Sequence, residues 1–589
     1  MNPVTRRSML ALALIGLAAC PSGQATVLVV QVTGKPGTYS PTTLDVSLTP
    51  QSGSAERTLL TKGGQPITLP TSFVIRADGW SGPATLAIKA KDDKDRLLGE
   101  GQTGVSIVPD EEVGFTVEIF PADFSANDRY QASQFFSTQA SARQLSSDGK
   151  GNVVGVWEDQ ECPLGRCDVY YRMFDANAQP KLNGVTNKTE EHVANEANAT
   201  YDMPAVAMQS DGSFVLAWYR ADSSSSTYDI CSRTFLANGR PDDQSDSGHE
   251  IVLSASGATN LGVPDVAALT DKNYVVVWHQ VKNNNWQVMG RFLGPHGVPT
   301  KPGVGVNEPF LVAEFANAGN PVLPNPAVAP GPNKGFMVTW RHDQAKLWGR
   351  SYNALAVPNI AAFSVSGTSK VGGFDVGPRL DGYAVVWEDS QVCATDSAPP
   401  CIRFRRYNLV GAALETPWTV NTTGAGKQQQ PAVAMRGDGS MLVAWTSTTD
   451  GTQDNDGGIR GRRVLSVGLP MGDDYPLNTT TTQVQDTPSL AAFNTDSFFV
   501  LFRDDSQLGP DTDQAGIRGR VLYASYSVSD GKIGALCDTN SPCVTGFKCI
   551  NSGVGNRCLR TCDAKKPDCP DGGKCETLSG GFGDICMYK

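Results

Sequence analysis

The chain has 589 residues, 61 of them Gly and 37 Pro, with 19% charged residues and a formal net charge of -11. This is the composition of a turn-rich globular protein and excludes an intrinsically disordered one. The acidic balance argues against nucleic acid as a partner and against an anionic membrane surface as a principal one.

Arg6 and Arg7 precede an apolar run, Met9–Ala19, that is too short to span a bilayer as a helix. Residues 1–19 therefore read as an export signal. Leu17-Ala18-Ala19-Cys20 resembles the lipobox of bacterial lipoproteins. That resemblance implies cleavage before Cys20, acylation of Cys20, and a lipid bilayer as the first partner. Several acyl chains anchor stably where one does not. Pro21-Ser22 follow Cys20 without an Asp, which favours the outer membrane of the cell envelope by the same resemblance. Thr5–Leu10 also resembles a twin-arginine signal, and either export route stays open. Residues 20–24 form the tether.

Residues 25–120 read as a small β-sandwich. Thr26–Val32 is Val-rich, Leu44, Val46 and Leu48 alternate with polar residues, and Thr85–Ala90 and Gly114–Phe120 alternate too. About seven short strands separated by Gly and Pro turns fit an immunoglobulin-like sandwich, here without an internal Cys. A spacer between lipid and the next domain is the expected role.

A repeat then runs over 131–530. Trp157, Trp218, Trp278, Trp340, Trp387, Trp445 and Phe502 close short apolar strands roughly 60 residues apart. Each is followed by a strand ending in Arg: Arg172, Arg233, Arg291, Arg350, Arg405, Arg462 and Arg520. Before six of them comes another short strand, such as Pro204–Ala207, Pro326–Ala329 or Pro431–Ala434, and there is room for a fourth. Val275-Val276-Val277-Trp278 has no alternation, as expected of a strand buried on both faces. Four strands in each of seven units predict a seven-bladed β-propeller in an all-β chain. Arg129–Phe136 is expected to close the ring against the last blade. The units Pro431–Ala434, Gly439–Trp445 and Ile459–Val464 resemble a bacterial extracellular repeat type, which implies this architecture and no particular activity.

In a four-strand meander the loops between second and third strands share one face. They vary most in length and are the expected working face. Two of them carry Cys pairs, Cys162 with Cys167 and Cys393 with Cys401, expected to form disulfides in an oxidising envelope. Cys231 is left over and expected to be a buried thiol. Asp450, Asp454 and Asp456, with Asp511 and Asp513, could hold Ca²⁺, but solvated loop charge is the favoured reading because the spacing does not match an EF-hand loop. No other cofactor is expected. The recurring Arg is expected to pair with a carboxylate of its own or the next blade, with Asp159, Asp389 and Asp504 as candidates.

Residues 535–589 hold eight Cys: Cys537, Cys543, Cys549 and Cys558, then Cys562, Cys569, Cys575 and Cys586. Two quartets sharing a C-x₂-G-x₂-C core predict a small disulfide-stapled module whose connectivity stays open. No catalytic residue is assigned. None of the five His falls on the strands that line the central channel, where Asp265 and Asp375 are the acidic exceptions. The Asp-box of sialidases, the serine-nucleophile elbow and the His-Glu-x-x-His zinc motif are absent. The expectation is a non-enzymatic surface lipoprotein whose propeller binds protein or glycan. A polysaccharide hydrolase or lyase and an envelope scaffold are the alternatives.

Overall fold

A computed structural model describes residues 26–523, apart from 51–53, 78, 128–132, 137–142, 160–167, 194–198, 223–226, 243–249, 255–257, 301–307, 318–321, 343–344, 392, 394–399, 425, 449–456 and 508–514. It also describes strand segments 12–13, 547–551, 556–560, 574–578 and 583–587. The chain divides into two compact units, one built on residues up to Phe124 and one on Ser125–Ala524.

The first unit is a β-sandwich. Its strands run in the order Thr71–Arg76, Val27–Gly34, Glu112–Pro121, Leu97–Ile107, Gly82–Lys91, Thr43–Pro50 and Glu56–Thr61. Val27–Gly34 pairs in parallel with Glu112–Pro121, and the other pairings are antiparallel. The alternation read in the sequence points inward: Leu44, Val46 and Leu48 are fully buried with Leu86, Ile88 and Ala90. Such pleated alternation places one face of each strand in the core.

The second unit is the seven-bladed propeller. In blade two, Ala199–Met208, Phe214–Asp222, Thr227–Phe235 and Ile251–Val252 pair in chain order from inside to outside, and blades three to six repeat this order. The strand-end Trp and Phe residues are at most 1% exposed. Each wedges against the preceding blade: Trp218 packs with Val154 and Tyr171, and Phe502 packs with Leu442 and Ile459. Full burial of rings this size supplies much of the apolar stabilisation between blades.

The ring closes with a strand other than Arg129–Phe136. The outermost strand of blade seven is Phe124–Ser125, which lies beside Gly516–Tyr523. Ala126 N–H donates to Ile517 O at 2.7 Å, and Ile517 N–H donates to Asn127 Oδ1 at 3.1 Å. The same device ends the outer strand of other blades. Val420 and Asn421 bond Ile402 in this way, as Leu477 and Asn478 bond Ile459. Gln134–Phe135 instead extends blade one, opposite Glu158 and Asp159, while Gln134 N–H donates to Ala515 O at 2.8 Å. Residues 128–132 lie outside the described residues.

The recurring Arg holds blades together through backbone carbonyls. Arg291 donates to Leu253 O at 2.8 Å, Arg350 to Val312 O at 2.8 Å, Arg462 to Val420 O at 2.9 Å and Arg520 to Leu477 O at 2.6 Å. Leu253, Val420 and Leu477 directly follow the outer strand of the preceding blade, and Val312 lies within it. Arg172 of blade one donates to Ala126 O at 2.6 Å, which makes residue 126 part of blade seven by the same rule. Those carbonyls have no further strand to bond, so a charged donor satisfies them where water is excluded. Asp389 and Asp504 are used locally, on Trp387 Nε1 and on Gln485, Ser506 and Arg518.

Cys393 and Cys401 form a disulfide with Cα atoms 5.8 Å apart. Cys231 is a free, fully buried cysteine whose thiol burial pushes far up, as expected of an inert thiol. Cys162 and Cys167 lie outside the described residues, as do Asp450, Asp454, Asp456, Asp511 and Asp513. In the C-terminal segment, Lys574–Leu578 pairs with Gly583–Met587, placing Cys575 opposite Cys586 in the register. Phe547–Asn551 and Asn556–Arg560, which carry Cys549 and Cys558, form a second two-stranded sheet. Cys20, Cys537, Cys543, Cys562 and Cys569 lie outside the described residues.

Candidate functional site

The axial channel is where the inner strands of all seven blades converge. At the end carrying the first hairpins it opens into a cavity of ≈ 520 Å³. Its wall mixes Leu145, Met208, Leu269, Val433, Met435 and Leu490 with the polar Arg143, Ser146, Ser147 and Gln209. Its rim is polar, with Asp148, Ser210, Thr270 and Asp271. The rim hairpins are laced together: Lys150 Nζ donates to Ser210 O at 2.6 Å, Lys272 pairs with Asp211 at 3.2 Å, and Lys334 pairs with Asp271.

The turns between third and fourth strands open on the same face. Their five-residue geometry repeats, with the first N–H bonded to the fifth carbonyl, as in Asn353 to Val357 and Leu465 to Leu469. The middle residue is Asn177, Asn238 and His296 in blades one to three. In blades four to six it is Leu355, Val410 and Val467, which are 55%, 48% and 57% exposed. Leu380, at the first hairpin of blade five, is 61% exposed. Half of this face thus carries aliphatic tips.

Below the cavity, Arg143 and the two channel acids meet. Arg143 Nη2 lies 3.3 Å from Asp375 Oδ1 and donates to Val376 O at 2.7 Å. Asp375 accepts Val376 N–H at 2.8 Å and, across the blade boundary, Val433 N–H at 2.9 Å. Asp265 does the same one blade pair earlier, accepting Val266 N–H at 2.8 Å and Val328 N–H at 2.7 Å. Each acid therefore clamps adjacent inner strands. Burial pushes the Asp265 carboxyl up to about 7, against the pull of Arg143 and the two N–H groups.

The opposite end of the channel is built by a β-bulge. Met203, Val263, Asn325, Gln430 and Thr487 each precede a Pro and take positive φ of 53°, 43°, 39°, 53° and 50°. A β-branched residue such as Val263 or Thr487 rarely adopts this conformation, and such strain collects where the backbone is aimed at something. Here it turns an inner-strand N–H toward the preceding blade. Met203 N–H reaches Glu158 Oε1 at 2.8 Å, Gln430 N–H reaches Glu388 Oε2 at 3.4 Å and Thr487 N–H reaches Thr446 Oγ1 at 3.0 Å. The acceptors all directly follow the strand-end Trp. Around the ring that position reads Glu158, Tyr219, His279, Arg341, Glu388, Thr446 and Arg503. Sequence reasoning passed over this ring. Its signal was a polar residue after every Trp or Phe, inside otherwise apolar strands.

Burial, with Asp202 beside it, holds the Glu158 carboxyl well above the usual carboxylate range. Burial and the nearby Arg341 charge push the His279 imidazole down to about 3. Below pH 6.5 the unfolded chain takes up a proton that folded His279 refuses. Its contribution to stability is therefore lost as pH falls from 6.5 toward 3, by up to about 1.4 kcal/mol per pH unit. We expect the stability difference between the native protein and His279→Gln to shrink or reverse between pH 7 and 4, measured by urea unfolding. A difference constant across that range would show that His279 does not titrate this way.

Among the described residues, no group of three or more His, Cys, Asp or Glu is placed to hold a metal ion. No protein-family model and no curated protein matches the chain. Solved structures resemble it at low identity. A protein of unknown function from Dyadobacter fermentans matches at 12% identity over 56% of this chain and 96% of its own, with TM-score 0.37. The β-propeller domain of the trilobed protease from Pyrococcus furiosus matches at 9% over 69% and 98%, with TM-score 0.36. The NanB sialidase from Streptococcus pneumoniae matches at 9% over 85% and 95%, with TM-score 0.37. Likeness at this level says nothing of what the chain binds or does.

Proposed function

We propose that the propeller is a non-enzymatic binding module, displayed by a lipid anchor on Cys20, and that it holds a protein partner on its hairpin face. One observation carries this reading. The cup of ≈ 520 Å³, with aliphatic side chains in its wall and a polar rim, shares that face with the exposed tips Leu355, Val410, Val467 and Leu380. An apolar centre within a polar rim is the anatomy of a protein interface, and exposed aliphatic groups clustered on one face mark one. The cup's lining includes Met, Leu, Val and Pro and no aromatic ring, which favours an inserted protein side chain over a stacked sugar.

A hydrolase or lyase working in the channel would need a carboxylate free to move a proton. Asp265 and Asp375 each accept two backbone N–H groups, and Asp265 is fully buried. The loops between second and third strands, the working face expected from sequence, lie largely outside the described residues.

The test is a photo-crosslinking residue at Thr270, on the cup's rim, with one at Tyr228, 51% exposed on blade two, as control. In the intact source cells the proposal expects a discrete protein adduct from position 270 and none from 228. Equal labelling, or none at 270, would refute it. The anchor is tested separately, by whether mass spectrometry finds acyl chains on Cys20.

A further inference from the structure

Two carboxyl groups meet where blade one faces blade two. Glu158 follows Trp157 on the strand Val153–Asp159, and Asp202 lies in the bulge of the strand Ala199–Met208. Both accept from the same donor. Met203 N–H reaches Glu158 Oε1 at 2.8 Å and Asp202 Oδ1 at 2.7 Å. The two oxygens are therefore no further apart than the sum of those distances. Glu158 is only 2% exposed, and the two carboxyl groups are within hydrogen-bond reach of each other.

Among the described residues, no cation pairs with either group. The other charged side chains at this boundary are engaged elsewhere. Arg220 is bound by Asp229 at 2.7 Å and by Glu250, Arg233 donates to Val193 O at 3.4 Å, and Glu191 accepts from Thr186. Tyr219 lies opposite Asp202 in the register, and burial pushes its phenol up to about 12, so it stays neutral. Within blade one, Asp159 alternates to the other face of its strand, and Glu158 stands opposite the uncharged Val169 and Phe135. Two carboxyl groups sharing one desolvated place without a cation cannot both ionise.

Blade five carries the same junction with a different partner. Glu388 follows Trp387 as Glu158 follows Trp157, and Gln429-Gln430-Pro431 stands where blade two has Asp202-Met203-Pro204. Gln430 N–H reaches Glu388 Oε2 at 3.4 Å, and Gln429 Nε2 donates to Glu388 Oε1 at 3.4 Å. An amide donates without taking up a proton. A carboxyl in its place completes the same bond only if one of the two acids is protonated. The blade-one junction is thus a proton-dependent form of the one in blade five. It also reaches further, because Met203 Sδ accepts Val263 N–H of blade three at 3.4 Å. The bulge held by Glu158 supports the next bulge around the ring.

We infer that Glu158 donates its carboxyl proton to Asp202 and so latches blade one to blade two at the bulge end of the channel, and that alkali opens this latch by removing the proton. The O–H bond of Glu158 breaks, its proton passes to hydroxide, and two carboxylates are left facing each other. Their repulsion releases Met203 N–H and loosens the bulges of blades two and three. Burial and the Asp202 charge raise the Glu158 carboxyl in the folded chain. Its contribution to stability is therefore fully present below the unfolded carboxyl value and is lost as pH rises through the folded one. The latch is separate from the hairpin-face cup, and either assignment can fail without the other.

The experiment compares the full native chain with Glu158→Gln, which keeps the shape and donor of the protonated acid, and with Asp202→Asn, which supplies an amide as blade five does. The infrared difference spectrum, native minus Glu158→Gln, should hold the C=O stretch of a protonated carboxyl at pH 7 and lose it as pH rises. Asp202→Asn should lose that band at a lower pH. In urea unfolding, the folding constant of the native protein relative to Glu158→Gln should fall about tenfold per pH unit above pH 5, until Glu158 ionises. Hydrogen exchange of Ala199–Met208, read at the same pH in both proteins, should then become faster in the native one. The inference is overturned if the band is absent at pH 7 or if the relative folding constant stays level from pH 5 to 9. It is equally overturned if Ala199–Met208 exchanges alike in both proteins at every pH. Should Glu158→Gln fail to fold, Asp202→Asn replaces it as the reference, and a band and pH dependence identical to the native ones overturn the inference.

Discussion

The double substitution Ala126→Pro with Asn127→Gly should open the ring and lower the melting temperature of the propeller by on the order of 10 °C. Proline at 126 removes the N–H that donates to Ile517 O and cannot be accommodated in that ladder. Glycine at 127 removes the amide that accepts Ile517 N–H at 3.1 Å and donates to Gln134 Oε1 at 2.6 Å. Displacing the strand also strips Arg172 of its acceptor, Ala126 O. Four bonds at about 1 kcal/mol each, with one charged and worth more, sum to about 5 kcal/mol. A domain of about 400 residues shifts by about 1 °C for each kcal/mol, or roughly 6 °C for the bonds alone. The effect should exceed that sum if closure makes the seven blades melt as one. A melt within about 2 °C of native would mean that the ring is held without this strand.

Asp375→Ala should cost about 3 kcal/mol of unfolding free energy, near the lower end for breaking a buried ion pair. The figure is at the lower end because Asp375 and Arg143 each keep 16% of their side-chain surface exposed. The substitution leaves Val376 and Val433 N–H without acceptors and Arg143 without its carboxylate. Asp381→Ala, which removes a 64% exposed partner of Arg379, is the matched control and should cost well under about 1 kcal/mol. Chemical denaturation of both variants decides the matter. Equal, small losses would release Asp375 from its structural role and reopen the channel to acid–base chemistry.

Much of this fold was legible because blade packing repeats itself in the chain. The Trp after a run like Val275–Val277 and the Arg that follows recur often enough to count the blades. The closing strand was misread by a few residues. Phe124-Ser125-Ala126-Asn127 has the pattern of Trp418-Thr419-Val420-Asn421, an aromatic followed at two and three residues by an apolar residue and Asn. Lying upstream of the first Trp, it falls outside the repeat read over 131–530. The partner of the recurring Arg could not be read either, because a backbone carbonyl leaves no mark in the sequence. The ring from Glu158 to Arg503 was hidden for a different reason. Its members share a position and no chemistry, so nothing in composition ties them together. The cup on the hairpin face is formed by Leu145, Leu269 and Leu490, residues on three different blades that only the closed ring brings together.

The central claim is that the hairpin face, through its cup, is the binding surface. Ser210 and Thr270 line the rim, and two Trp side chains there would fill the cup from outside while leaving the blade cores intact. Partner capture from intact cells should be compared between the native protein and the Ser210→Trp/Thr270→Trp variant, with melting temperatures matched. The account predicts that capture is lost while the melt is unchanged. Undiminished capture by the plugged protein would contradict it.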